Sequence, residues 1–440
     1  MTTHIILSIG RRSLACIVDI RSNIINAAMP VFKRDRASRR ALALYAISLT
    51  CIVFSGLLKA QSFSELEALL SAHPQLQSMS YQAQAHRERS DAVMGLPDPV
   101  LSVGINNFPI YDPSFNEFLP TNKAIGLQQR FPSRASREAR SAGGRAQANQ
   151  TDEIRQQLLV SMRAELIALL HQKDRINKQT LLAEQRDAKY DQLIKVVESE
   201  VGGGRSSVFR LAEIEAERAD VARSLIDLRA EGAQIDSRLM YLVGMIPDTS
   251  PPTIEPSVWS GNRMDFLASR VADTAVKISE TGIDQAKSAW KPEWGAQFTY
   301  QQRDAGRNFS GDDWVSMMVT VTVPFWSKAK QEPDLRAAEA RKAAAQSALN
   351  DAVRHASAQY AQSRASYIAA KQAQAILELK TTAIRNEIAA QRATYESGAG
   401  DYAPIIDGEI VILKLRAEIA AQQALSHIAA AQMNALLVTP

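Results

Sequence analysis

The side chains able to do chemistry are few and dispersed. His4, His73, His86, His171, His355 and His427 stand singly, whereas a zinc or iron site needs imidazoles and carboxylates at short, helix- or turn-compatible spacing. No HExxH, paired CxxC, GxGxxG or Walker phosphate loop occurs. Gly202-Gly203-Gly204 has the composition of a phosphate cradle but neither a strand before it nor a Lys-Ser/Thr after it, so it reads as a turn between helices. Met317 and Met318 offer soft sulfur to a cation, yet they sit inside an alternating strand pattern that sends them to opposite faces. No catalytic, cofactor-binding or metal-ligating residue is expected, and the chain does not read as an enzyme.

Charge and cysteine placement set the compartment. The 440 residues carry 51 Lys/Arg against 47 Asp/Glu, but residues 1–60 hold nine of the basic residues and only Asp19 and Asp35 of the acidic ones. The remainder is therefore slightly acidic, which argues against nucleic acid as a partner. Residues 33–61 run from a Lys/Arg cluster through the apolar stretch Ala41–Leu58 to Lys59-Ala60-Gln61, the order of a secretory signal with a cut after Ala60. A start at Met29 gives that leader an ordinary shape; a retained anchor is the alternative reading of the same apolar run. Cys16 and Cys51 both fall within residues 1–60, upstream of that cut, so the exported chain has no thiol. Cys51 as a lipid-attachment site is opposed by Thr50 before it and by the apolar residues that follow.

The elements that position everything else repeat. Ser64-Glu65-Leu66-Glu67 reads as a capping box opening a helix to about Met94, stopped by Pro97 and Pro99. Val100–Phe108 and Asn122–Phe131 alternate strictly, with Leu101, Val103, Ile105, Ile125 and Leu127 on the apolar face. A proline-free stretch from Ser133 to about Val197, with apolar residues every three, four and seven, predicts a helix of roughly 100 Å, which Gly143 and Gly144 are expected to bend. Gly202, Gly203 and Gly204 end it, and a returning helix to about Leu242 completes a hairpin. Residues 246–262, rich in proline, form a connector.

The same order then recurs: a helix from about Met264 to Ala289, an alternating pair around Phe298 and Tyr300 and around Val315–Val323 with Val319 and Val321 on its apolar face, a long helix opened by Pro324-Phe325-Trp326, a turn at Gly398 and Gly400, and a last helix to about Ala435. Pro97 and Pro292 are 195 residues apart and Gly202 and Gly398 are 196 apart, so a tandem duplication is expected: residues 61–245 with strand pair 99–131, and residues 263–440 with strand pair 293–324.

Strands of about ten residues, apolar on one face and polar on the other, can cross a bilayer when tilted, and Phe108, Phe131, Trp294, Trp314, Phe325 and Trp326 fall near their ends, where interfacial aromatic girdles sit. A half-buried soluble sheet has the same alternation. Four strands cannot close a barrel, and an open edge in hydrocarbon leaves amides and carbonyls unpaired, so the bilayer reading requires several copies to share one barrel.

The twice-repeated order of helix, proline, strand pair, proline, long helix, glycine turn and returning helix resembles the TolC-type outer-membrane efflux family over nearly all of Ser64–Met433. GLPDPVLSVGINNFPI and KAIGLQQRFP are similar to its heavy-metal and cation branch. The resemblance implies a mainly α protein with a small β part: a homotrimer with a 12-stranded transmembrane barrel, four strands per subunit, continued by a long α-helical barrel in the periplasm. It also implies outer-membrane lipid around the barrel, and a periplasmic adaptor protein and an inner-membrane efflux pump as partners. Tyr395-Glu396-Ser397-Gly398, followed by Ile405-Ile406-Asp407, matches the family's Tyr-x-x-Gly turn and downstream Leu-Asp. Tyr395 and Asp407 are thereby expected at the periplasmic aperture, as a hydrogen-bonding tyrosine and a ring carboxylate. Gly400 and Pro404 stand where the family has a gating arginine and a first acidic residue; Arg392, Asp401 or Arg205 are the candidates to substitute. The function implied is a passive export duct for small solutes or metal cations, and the rival reading is an exported coiled-coil adaptor.

Overall fold

A computed structural model describes residues 62–204 and 208–438. The leader, with Cys16, Cys51 and Met29, lies outside them, as does Arg205.

The first helix begins two residues earlier than the capping box at Ser64 places it. Ser62 is the N-cap: its hydroxyl accepts from the Glu65 amide at 3.4 Å and Glu65 accepts from the Ser62 amide at 3.2 Å. Both serines precede a glutamate by three residues, and the earlier start brings Phe63 onto the cluster that buries Leu66 and Leu70. Nor is this helix continuous to Met94. It splits into α1 (Phe63–Ser71) and α2 (Pro74–Ala92), because Pro74 has no amide to donate and its ring clashes with the preceding turn; His73 caps the restart through Nδ1, which accepts from the Gln75 amide at 3.3 Å.

Strand β1 (Val100–Asn106) stops short of the expected Phe108 because Asn107 turns into the left-handed region at φ 52°. Strand β2 (Asn122–Phe131) leads into α3 (Arg134–Gly202), 69 residues capped by Ser133. Gly143 and Gly144 lie inside this unbroken helix and serve close packing: a Cβ on Gly144 would sit 3.0 Å from the Ser90 side chain, and one on Gly143 3.3 Å from the Thr281 hydroxyl. Helix α4 (Val208–Val243) returns.

A 3-10 turn (Arg263–Asp265) and α5 (Leu267–Ser288) open the second half, followed by β3 (Glu293–Gln302), β4 (Trp314–Thr322), α6 (Gln331–Glu396) and α7 (Ala403–Leu436). Helix α6 starts later than Pro324 suggests: residues 323–330 form turns in which the Trp326 carbonyl accepts from the Ala329 and Lys330 amides, leaving Phe325 and Trp326 exposed.

The helices pack side by side in a row four wide. At one end α4 stands with α2 above it, on the strand side; then come α3, α7 with α5 above it, and α6 at the other end. Both tips lie at the same level, where Tyr190, Leu193 and Val197 of α3 pack with Ile214 and Val221 of α4 and Ile406 and Ile410 of α7. Midway up, Leu166 and Leu169 meet Leu239 and Leu66, and Met433 meets Tyr360 and Phe266. Each large apolar side chain so buried contributes roughly 1.5–3 kcal/mol. The connector, residues 246–262, is tied down by the Asn434 amide donating to the Glu255 carbonyl at 2.9 Å and the Tyr360 hydroxyl donating to the Ser257 carbonyl at 3.0 Å. Among the described residues no helix is long and apolar enough to cross a membrane.

Candidate functional site: strand quartet and helical tips

The four strands form one antiparallel sheet in the order β1-β2-β3-β4. Leu101 pairs with Leu127 and Val103 with Ile125; Ile125 pairs with Tyr300 and Leu127 with Phe298; Phe298 pairs with Met317, Ala296 with Val319 and Trp294 with Val321. Because directly paired residues share a face, these residues and Ile105 form one apolar surface, all of it exposed, with Val103 and Met317 75% and 81% accessible. The opposite face carries Ser102, Asn106, Asn122, Gln128, Arg130, Gln297, Thr299, Ser316, Thr320 and Thr322, with Met318 among them.

Aromatic rings mark both ends of the quartet. Phe131 pairs with Trp294 at the helix end, where β4 runs on into the segment that holds Phe325 and Trp326; Phe108 and Trp314 stand at the loop end. There Lys123 reaches Asp304 at 3.0 Å, the Arg303 guanidinium lies 4.0 Å over the Trp314 ring, and Tyr300 donates to Asp313. Strands β1 and β4 are the sheet's two edges, and among the described residues neither has a partner strand on its outer side.

The other cluster lies at the tips. Gly202 is the last residue of α3; Gly203 and Gly204 make the turn, Gly204 at φ 71°. In the second hairpin Gly398 stands at φ 79°, and Gly400 packs with its Cα side against Thr394, so that a Cβ there would lie 3.2 Å from the Thr394 methyl. Tyr395, in the last turn of α6, is exposed and its ring lies 5.1 Å from that of Tyr402. Asp401 is exposed in the turn and enters no ion pair among the described residues.

Asp407 is engaged within its own subunit. Arg210 of α4 donates through Nη2 to both its carboxylate oxygens, at 3.1 and 3.0 Å, and through Nη1 to Glu213 at 2.9 Å. Burial pushes the Asp407 carboxyl above its ordinary value, and the adjacent guanidinium only partly opposes this. Behind the pair, the Tyr190 hydroxyl donates to Glu217 at 2.9 Å, and burial and that carboxylate raise its pKa. Glu409 accepts from Lys189 at 2.7 Å and from Arg392 at 3.3 Å, so Arg392 is committed to α7. Arg210 was not singled out from the sequence; its signal is its place two residues into the first returning helix, level with Asp407 four residues into the second, which leaves the tips in the same direction.

Among the described residues no group of three or more His, Cys, Asp or Glu side chains converges as a metal site. His171 and His427 do meet, with rings stacked 4.5 Å apart and nearly parallel. Stacked rings aim their nitrogen lone pairs along parallel planes and cannot chelate one ion. His171 Nε2 lies 3.0 Å from the Pro252 carbonyl, which can only accept, so that nitrogen carries the proton.

No family model and no curated protein matches this sequence. Solved structures do. CusC, described in connection with transmembrane channel formation, aligns over 85% of this chain and 91% of its own at 15% identity and a TM-score of 0.70. The outer membrane protein VceC from Vibrio cholerae aligns over 85% and 95% at 14% identity and 0.68, and the open state of the Neisseria gonorrhoeae MtrE outer membrane channel over 84% and 88% at 16% identity and 0.62. The chain has the fold of these outer-membrane channels.

Proposed function

From that shared fold we propose that the chain is the outer-membrane channel component of a TolC-type tripartite efflux system, a passive duct rather than an enzyme. Three copies each give four strands to a common barrel in outer-membrane lipid, with the helical part in the periplasm. Lipid faces Leu101, Val103, Ile105, Ile125, Leu127, Phe298, Tyr300, Val319 and Val321, and the Ser/Thr/Gln face lines a wet lumen.

One observation carries the reading: a four-stranded meander with a predominantly apolar exposed face, on which Lys123 and Gln302 at the loop end and Gln129 near the helix end are the polar residues, and with two free edges, stands at the end of helices about 100 Å long. In water such a face and such edges promote aggregation; in a bilayer they are what a shared barrel requires. An even number of alternating strands lets β4 of one copy meet β1 of the next antiparallel, as every other pair in the sheet is.

The inner-membrane pump supplies energy and, through a periplasmic adaptor docked at the tips around Gly202 and Gly398, the solute. Small solutes or metal cations are the proposed cargo, the cation class resting on the strand segments noted above. Extraction decides between this duct and a coiled-coil adaptor. A duct is released from membranes by detergent only and runs as a trimer that heating converts to monomer on a gel; release by salt alone, as a monomer stable in plain buffer, overturns the proposal.

A further inference from the structure

The two ends of the sheet differ in charge. The four junctions between strands and helices, residues 93–99, 129–134, 287–293 and 322–330, hold six Lys/Arg against Asp98 and Glu293. The loops at the other end, residues 107–121 and 303–313, reverse this, with five Asp/Glu against Arg303 and Arg307. Cations at the loop end are engaged, Lys123 by Asp304 at 3.0 Å and Arg303 over the Trp314 ring. At the helix end Lys291, Lys328 and Lys330 are exposed and enter no ion pair among the described residues. Three of the four junctions also set an aromatic ring shortly before a cation: Phe131 before Arg134, Trp290 before Lys291, and Phe325-Trp326 before Lys328 and Lys330. Turns hold the last two together. The Trp326 carbonyl accepts from the Ala329 and Lys330 amides at 3.0 and 3.1 Å, and the Ser288 carbonyl accepts from the Lys291 amide at 3.0 Å. Arg134 differs in reaching Glu138 at 2.7 Å.

We infer that this belt of rings and unpaired lysines binds the headgroups of acidic phospholipids, such as phosphatidylglycerol, in the leaflet on the periplasmic side. The inference rests on the membrane-spanning reading proposed above and names the lipid class at one end of that surface. Phe325 and Trp326 lie just beyond Val321 and Val323 of the apolar face and are 80% and 81% accessible. Large rings in that position settle at headgroup level, where one side is apolar and the other wet. A lysine a few residues farther from the bilayer centre then lays its flexible stem along apolar surface and carries its ammonium to the phosphates. Lacking a carboxylate partner, each such ammonium keeps its attraction for an anionic surface, which favours the bound state by a factor of about five per lysine. A free anion would meet the charges without using the rings; an acidic bilayer engages both.

Native mass spectrometry tests the belt on the exported chain reconstituted into vesicles that mix phosphatidylcholine with phosphatidylglycerol. Trimers released from them are expected to retain phosphatidylglycerol in excess of its share of the vesicle. Lys328→Gln combined with Lys330→Gln is expected to cut that enrichment about fivefold or more, and Lys123→Gln, at the loop end, to leave it unchanged. Raised salt applied to the parent protein screens the same ammonium groups without any substitution and is expected to reproduce the loss. Trimers that retain the two lipids in the vesicle's own proportion, or whose enrichment survives both the paired substitution and salt, overturn the headgroup site and leave the duct standing. Equal loss from Lys123→Gln overturns the placement at the helix end. Failure to form trimers in any vesicle overturns the duct, and the headgroup site with it.

Discussion

Arg210 grips both carboxylate oxygens of Asp407, at 3.1 and 3.0 Å, and thereby joins the first returning helix to the last helix at the tips. The expectation of a bare acidic ring becomes one of a paired charge, whose field on a passing ion is small until one partner is removed.

Removing either partner therefore has opposite effects. Arg210→Gln leaves a net negative charge in each subunit and is expected to shift the reversal potential of single channels toward cations; Asp407→Asn leaves Arg210 unpaired and shifts it toward anions. If both variants keep the parent selectivity in salt-gradient recordings, the pair lies off the conduction path.

Adjacent residues of β4 should differ sharply in tolerance. Val319→Arg places a cation on the apolar face and is expected to lose about 2–4 kcal/mol of folding free energy in lipid. Thr320→Arg, on the polar face, is expected to lose little. The fraction of heat-modifiable trimer recovered on refolding into vesicles reports both; equal losses contradict the assignment of faces.

Acid should loosen the middle of the helical part. The His171 imidazole is buried against His427 and its pKa is lowered to about 4, chiefly by desolvation and then by the neighbouring imidazole. Asp174, which raises it, and Lys178 face it from α3 itself, while Lys371 lines the same cleft from α6. The unfolded chain takes up this proton near pH 6.5, the folded one only near 4, so stability is lost as pH falls through that window and changes no further below it. The loss is about 3 kcal/mol at most. Melting followed by circular dichroism from pH 7 to 4 should show a steeper decline for the parent than for His171→Gln, and parallel curves would count against this account.

Turn glycines should separate by backbone geometry. Gly398 holds φ at 79° with open space around it, while Gly202 is helical and equally unobstructed. Gly398→Ala is expected to cost about 1 kcal/mol through strain alone, and Gly202→Ala to stabilise slightly, because alanine is the better helix former. Thermal melts of the two variants, moving in opposite directions, check this.

What sequence periodicity revealed was the repeat, the strand faces and the long rods, because each is a pattern summed over many residues. Local competition hid the rest. Ser62 and Ser64 both precede a glutamate by three, and only the burial of Phe63 selects the first. Pro74 sits in an otherwise helical stretch whose continuation is prevented by one missing amide. Pro324 suggested a helix start that turns delay to Gln331. The Arg210–Asp407 contact joins residues 197 apart in sequence and depends on both tips reaching the same level, which no window of the chain contains.

The row of helices is not mechanically uniform. Two of its four columns, α3 and α6, are single rods of 69 and 66 residues, while the other two are each divided at mid-height, α4 from α2 and α7 from α5. A twist applied at the tips therefore travels to the strands along the unbroken pair, and the interrupted pair can hinge beside it.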